Sequence, residues 1–203
     1  MSETSDITIK EPTDEEIKAW WNWASQFSMA STPFAREWAK EGRDYNIKGQ
    51  PVNVHVFCLS CTAGAGGRDV VTRPLKAAIA SGMDLLIPVF VAASEISFDA
   101  AEELLGEAPK VRFFINEVEA RPIKKQTSVG PIVFVENNSF EEEPGTKEVY
   151  YSTGYWAKVS PEGIRSLRFG GSGGQTYQQN AQGEKIIGGD FNTEVTYDIE
   201  AQV

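Results

Sequence analysis

The sequence is poor in the residues that most often carry out catalysis and bind metals. Its 203 residues include one histidine and two cysteines. A disulfide-rich secreted scaffold needs several cysteine pairs, so that class is excluded. Any Ser-His-Asp or Cys-His catalysis must use the single histidine, His55. One histidine and two cysteines also fall short of the four ligands of a structural zinc site, and we expect no metal and no cofactor.

Positive charge is scarce as well, with 19 Lys and Arg residues against 29 Asp and Glu residues and a net charge of −10. Nucleic-acid-binding proteins need a basic patch, so we expect no nucleic-acid partner. Residues 1–6 carry acids where a signal peptide carries Lys or Arg. The longest apolar run, Leu85 to Ala93, is about half the length that crosses a bilayer. These features predict a cytoplasmic protein with no signal peptide and no membrane span.

The composition predicts one globular unit, since 41% of the residues are hydrophobic and 24% are charged. No linker divides the chain sharply. We therefore expect an N-terminal arm over residues 1–12 and a single β-rich domain over residues 13–203.

Three helices are predicted, two before the first strand and one between later strands. Thr13 and Glu16 form a capping box, and apolar residues follow at helical spacing: Ile17, Trp20, Trp21, Ala24 and Phe27. The three nearby tryptophans span more than one helical face, which places at least one of them near the surface or an interface. Another short helix is expected from Thr32 to Gly42. A short internal helix should begin at a second capping box, Asp99 with Glu102, and end at Gly106.

The remaining signals are typical of β-strands. The predicted strands are Val52–Phe57, Leu85–Ala93, Val111–Ile115, Ile132–Val135, Val149–Tyr151, Tyr155–Val159, Ile164–Phe169 and Phe191–Ile199. Pro88 requires a bulge or a missing ladder bond in the second of them. Residues 170–189 are expected to form a long loop or a protruding hairpin. The pattern predicts a mainly β fold, a β-sandwich or jelly-roll-like domain with an N-terminal Trp-rich helix and one short internal helix.

The segment from Thr153 to Gly171 and the strand from Phe191 to Tyr197 resemble the C-terminal half of a group of uncharacterised bacterial proteins, whose pattern there is roughly "gyW … l.PG.H.i.FGG … VTY.l". The resemblance extends to Trp20-Trp21-Asn22-Trp23 and to Leu85-Leu86-Ile87-Pro88-Val89. The group implies a β-rich domain and no agreed activity. Where the group often has a histidine after Pro-Gly, this chain has Arg165 or Ser166.

Several residues are candidates for function. Exposed aromatic rings beside amides and carboxylates are how β-sandwiches often hold sugars or proteins, and Trp23, Tyr155 and Trp156 are the candidate ligand-binding rings. Arg68, which follows the Gly-rich loop 62–67, would bind an anionic group. Cys58 and Cys61 form a C-x-x-C pair that is either a redox or metal site or two thiols placed in a strand and its turn. His55 is the candidate catalytic base or a histidine of the strand.

These observations favour a non-enzymatic binding or interaction module whose ligand is a small molecule, a carbohydrate or a protein. The alternative is an enzyme of the hydrolase or lyase type that uses carboxylates and His55. A third class, a structural homo-oligomer, rests on the edges that the first and last strands would expose. Light scattering that shows a monomer would exclude the third class.

Overall fold

The computed structural model describes residues 7–25, 49–61, 70–75, 79–133, 145–179 and 185–199. In these ranges it contains two helices and nine strands. The helices are α1 (Asp14–Trp23) and α2 (Phe98–Leu105). The strands are β1 (Val56–Cys58), β2 (Val70–Leu75), β3 (Asp84–Ser94), β4 (Lys110–Ile115), β5 (Val118–Glu119), β6 (Ile123–Val133), β7 (Lys147–Val159), β8 (Ser166–Gln179) and β9 (Lys185–Ile199). The mainly β class with an N-terminal Trp-rich helix and a short internal helix is confirmed.

The strands form two sheets that share one core. The four-stranded sheet has the order β1-β3-β7-β6, and the five-stranded sheet has the order β2-β9-β8-β4-β5. β1 is parallel to β3 and β2 is parallel to β9, whereas the other pairs are antiparallel. Both sheets contribute to the larger apolar core, as in a sandwich; its buried members include Leu85, Ile87, Ala157, Val159, Phe113, Leu167, Phe169, Val195 and Tyr197.

The predicted central strand is confirmed, and the strand before it is shorter than expected. β3 is buried on both faces through its middle, and its register shifts between Pro88 and Phe90 as the proline requires. The strand predicted over Val52–Phe57 begins only at Val56, and Val52 is 99% exposed. The reason is the partner strand, since β3 begins at Asp84 opposite Val56 and earlier residues find no ladder. The alternation of apolar and polar residues over Val52–Phe57 is typical of a strand, but residues before Val56 have no neighbouring strand to pair with.

Residues 170–179 belong to β8 and residues 185–189 to β9, and the two strands pair antiparallel, so the hairpin prediction is confirmed for these described residues and the loop alternative is wrong there. The glycines of β8 have a packing role. A Cβ at Gly171 would lie 2.6 Å from ring carbons of Phe90, which is 3% exposed. Only glycine therefore lets that ring lie against β8.

α1 covers the outer face of the four-stranded sheet. Its capping box is present as predicted, because the Thr13 hydroxyl accepts from the Glu16 amide and Glu16 accepts from the Thr13 amide. The three tryptophans Trp20, Trp21 and Trp23 are all at most 3% exposed, so the surface alternative is wrong and the interface alternative stays a prediction. α1 contacts both edge strands, β1 and β6, so more than one of its faces is covered.

α2 and the N-terminal arm complete the described fold. The N-cap of α2 is Ser97 rather than Asp99, since the Ser97 hydroxyl accepts from the Ala100 amide. Gly106 ends the helix at a φ of 92°, as predicted. The arm lies against β7 through a backbone hydrogen bond from Lys10 to Lys158. The predicted helix over residues 32–42 lies outside the described residues.

Candidate functional site: a cleft beside the first helix

The first turn of α1 is fixed to the sheet by ion pairs. The Glu16 carboxylate accepts from Lys158 Nζ at 3.0 and 2.9 Å. The Asp14 carboxylate lies 3.2 Å from Lys125 Nζ and accepts from Thr127 Oγ1 at 3.0 Å. The hydrogen bonds from Thr127 and Lys125 hold the pKa of Asp14 below its usual value. These contacts attach the first turn of α1 to β6 and β7.

Buried indoles fix the rest of the helix. Trp20 Nε1 donates to the Leu59 carbonyl at 2.9 Å, and Trp21 Nε1 donates to Ser152 Oγ at 2.8 Å. The Trp20 ring also packs edge-on against Trp156, with ring centroids 5.4 Å apart. Such pairs contribute about 0.5–1.5 kcal/mol beyond their buried area. These contacts decide which side of α1 faces the sheet.

The opposite side of α1 lines a cleft. Glu15, Lys18, Ala19 and Asn22 lie three or four residues apart, so they form one stripe along the helix. The α1 cleft has a volume of about 530 Å³ and is lined by this stripe with Trp23, Gly49, Pro51, Asn53, Gly130 and Pro131. Its three walls therefore come from three separate segments of the chain.

The second wall, residues 49–53, is held by the Gln50 side chain, which makes the two hydrogen bonds that a neighbouring strand would make to the backbone of Cys58. The Gln50 amide donates to the Cys58 carbonyl at 2.9 Å and accepts from the Cys58 amide at 2.8 Å. This pairing satisfies backbone groups at the edge of β1 and holds the segment that carries Pro51 and Asn53.

The third wall is a bulge in β6. The register of β6 on β7 shifts between Val129 and Ile132, which places Gly130 and Pro131 out of the ladder. Gly130 has a φ of 137°, and a Cβ there would lie 2.7 Å from the Glu148 carbonyl. The bulge that forms this wall therefore requires a glycine at position 130.

The charged residues of α1 that face the cleft differ in their ion pairing from those that face the sheet. Asp14 and Glu16 both have cationic partners in the sheet. Glu15 and Lys18 are exposed, and neither side chain makes a hydrogen bond or an ion pair in the described part of the chain. From the described residues, the cleft thus presents one carboxylate and one ammonium group to an incoming molecule, together with the Asn53 carboxamide.

The outer face of the five-stranded sheet shows the contrasting case. Arg112 Nε lies 3.2 Å from the Glu194 carboxylate, which also lies 3.7 Å from an Arg168 nitrogen. The Arg168 guanidinium stacks over the Phe114 ring at 4.0 Å. The Glu194 carboxylate is thus shared by two guanidinium groups, although the buried Arg112 Nε makes no hydrogen bond in the described part of the chain.

A further polar cluster lies between α2 and the four-stranded sheet. The Glu102 carboxylate accepts from Lys124 at 2.7 Å, from Gln126 at 3.0 Å and from Thr153 at 2.5 Å. Burial opposes the ionisation of Glu102, but these hydrogen bonds outweigh it and lower its pKa. The cluster anchors α2 and leaves no unpaired charge.

The structure separates the ligand-binding residues predicted from the sequence. Trp23 lines the α1 cleft and is 3% exposed, so it forms a wall rather than an open platform. Tyr155 is half-buried against the core between the sheets, whereas Trp156 is fully buried against α1. Adjacent residues of a strand face opposite sides, so these two rings cannot line one site. Arg68 lies outside the described residues.

His55 is exposed and lies in a bend just before β1 rather than in the strand. Its carbonyl accepts from the Asp84 amide at 3.2 Å. Among the described residues its imidazole makes no hydrogen bond or ion pair with a carboxylate. Its role as a catalytic base stays a prediction.

The two cysteines also lie apart from the cleft lining. Cys58 is buried in β1, and Cys61 is half-buried at the edge of the core. Burial raises the pKa of Cys58, and the nearby Glu16 carboxylate adds to the effect. In the ranges that the structure describes, no three His, Cys, Asp or Glu side chains are grouped as metal ligands.

The chain matches no family model, no curated protein and no solved structure. The resemblance to the bacterial group therefore stays a prediction. Neither helix of the described residues has the length and apolarity needed to cross a membrane.

Sequence reasoning missed most of the cleft. The stripe of Glu15, Lys18 and Asn22 was visible as the polar side of a helix whose apolar side was recognised. Asn53 carried no comparable signal, because the predicted strand placed it on a sheet face. Its position in the cleft wall depends on the Gln50–Cys58 pairing.

Proposed function

We propose that this protein is a non-enzymatic binding module that holds a small polar ligand in the α1 cleft. The observation that carries the proposal is a pair of charges, Glu15 and Lys18, that line a cleft and make no ion pair or hydrogen bond with any residue that the structure describes. A volume of about 530 Å³ falls within the range of small-molecule pockets, roughly 300–1,000 Å³. The carboxamide of Asn53 and the apolar surface of Pro51 and Pro131 add the mixed lining that such pockets have.

The size of the site favours a small molecule over a protein surface. A protein interface buries roughly 800 Å² on each partner, whereas this site is an open cleft of about 530 Å³ between α1, the 49–53 segment and the β6 bulge. The walls are also held rigidly, by the Glu16–Lys158 ion pair and by the Gln50–Cys58 pairing. A rigid cleft loses little conformational freedom when a ligand binds.

The enzymatic alternative receives less support. A general base must lie within hydrogen-bond reach of the proton that it removes, and a carboxylate usually orients a catalytic histidine. His55 is not part of the cleft lining and has no carboxylate partner among the described residues. A binding function needs neither feature.

The test is to fill the cleft without changing its charge. Ala19→Phe places a ring in the cleft, and Ala108→Phe adds the same ring at an exposed position after α2 as the matched control. Both variants and the wild type are titrated with glucose, galactose, N-acetylglucosamine and the proteinogenic amino acids by saturation-transfer NMR. We expect at least one probe to bind the wild type and the control but not Ala19→Phe.

Binding that persists in Ala19→Phe would place the site elsewhere and contradict the proposal. So would the absence of binding by every probe at high millimolar concentration. Thermal unfolding of each variant checks that Ala19→Phe is folded before its titration is interpreted.

A further inference from the structure

We infer that the ligand of the α1 cleft is a free α-amino acid, bound as a zwitterion with its carboxylate on Lys18 and its ammonium group on Glu15. This inference rests on the proposed function and names its ligand class.

The first support is the pattern of paired and unpaired charges on one helix. The charges of α1 that face the sheet, Asp14 and Glu16, are neutralised by Lys125 and Lys158. The Glu15 and Lys18 side chains, which face the cleft, make no ion pair or hydrogen bond in the described part of the chain, and Lys18 contributes only a weak attraction to the Asp14 carboxylate. A ligand with one charge of each sign would pair both, and charged hydrogen bonds are the stronger ones.

The spacing of the two groups limits what can pair with both at once. Residues three apart on a helix have Cβ atoms about 5–6 Å apart. Glu15 and Lys18 therefore present their charges close together. The ammonium and carboxylate groups of an α-amino acid are joined through a single carbon and match this arrangement, whereas the two ends of an extended peptide lie further apart. A neutral sugar would bring no charge to pair with either group.

The amides of the cleft fit the same ligand. Asn22 Nδ2 donates to the Lys18 carbonyl at 3.1 Å, which leaves its Oδ1 as an acceptor for an ammonium group. Asn53 is exposed on the facing wall and can donate to a carboxylate. The zwitterion has no net charge, so the −10 charge of the protein does not repel it.

The test uses the full chain and titrates each proteinogenic L-α-amino acid alone, followed by two-dimensional NMR and calorimetry. The best binder is then compared with its N-acetyl derivative, which loses the ammonium charge, and with its methyl ester, which loses the carboxylate charge. We expect each derivative to bind at least about tenfold more weakly, because each loses a charged hydrogen bond.

Protein variants test the same assignment from the other side. Lys18→Gln and Glu15→Gln should each weaken binding by about tenfold or more. The matched controls are Lys110→Gln and Glu119→Gln, which neutralise exposed charges on the five-stranded sheet and should bind as the wild type does.

The outcomes separate the inference from the proposed function. Equal binding of a blocked derivative, or unchanged binding by Lys18→Gln or Glu15→Gln, overturns the zwitterion assignment. Binding of a neutral sugar that is lost in Ala19→Phe, with no amino acid bound, overturns the inference and leaves the proposed function standing. Absence of binding by all probes overturns both.

Discussion

The ion pair between Glu16 and Lys158 joins the first turn of α1 to β7, so its removal tests how the cleft wall is held. Lys158 Nζ lies 3.0 and 2.9 Å from the two carboxylate oxygens of Glu16. The side chains are only 12% and 13% exposed. The relevant changes are Lys158→Met and Glu16→Gln, and the glutamine can still cap the helix by accepting from the Thr13 amide.

The expected magnitude follows from the burial of the pair. Exposed ion pairs contribute about 0.2–1 kcal/mol, whereas removal of one partner from a buried pair costs about 3–5 kcal/mol. The low exposure of both side chains places this pair near the buried limit. We expect each single change to lower the free energy of unfolding by about 2–4 kcal/mol. The double variant should lose less than the sum, with a coupling energy of about 2 kcal/mol.

The assay is urea unfolding followed by tryptophan fluorescence, which reports on the junction between α1 and the sheet because Trp20, Trp21 and Trp156 are buried there. The control is Lys10→Met, which removes the partner of Asp84 from a pair whose lysine is 48% exposed. It should cost no more than about 1 kcal/mol. Additive losses in the double variant, or single losses no larger than that of the control, would refute the reasoning.

Three other predictions concern the packing at Gly171, the ionisation of Glu102 and the reactivity of Cys58. Gly171→Ala should lower the free energy of unfolding by about 1–3 kcal/mol, because its Cβ would meet the Phe90 ring. Phe90→Leu in the same chain should recover part of that loss, and equal urea midpoints for wild type and Gly171→Ala would contradict the packing argument. The lowered pKa of Glu102 means that its stabilising effect is present above the ordinary value of 4.5 and is lost as the pH falls through the folded-state pKa. The stability difference between wild type and Glu102→Gln should therefore shrink below pH 4.5, and a constant difference would argue against that anchor. Because burial raises the pKa of Cys58, iodoacetamide at about pH 8 should alkylate it only in the unfolded chain, which mass spectrometry of native and denatured protein can check.

Local signals in the sequence were enough to place α1 and the central strand. A capping box involves residues three apart, so the start of α1 could be recognised without any knowledge of the fold. The run from Leu85 to Ala93 was recognised as a central strand because it is apolar on both faces, and Pro88 marked its irregularity. The alternation in β9 likewise separated a buried face from a polar one.

Other boundaries depended on partners that are distant in the chain. β1 is short because β3 begins opposite Val56. β6 was predicted only at its end, since an edge strand with polar side chains on its exposed positions lacks the apolar pattern of a core strand. The internal helix is capped by Ser97 rather than Asp99, a difference of two residues that the local pattern did not resolve.

The sequence by itself determined that this chain is mainly β, that a Trp-rich helix begins after Thr13, and that one histidine limits the chemistry available. Only the tertiary structure decided that Glu16 meets Lys158, 142 residues further along, and that Asn53 and Pro131 face Glu15 and Lys18 across a cleft. The physical reason is that caps and side-chain periodicity are set by neighbours within one or two turns. A binding cleft, in contrast, is assembled from surfaces whose only connection is the packing of the whole domain.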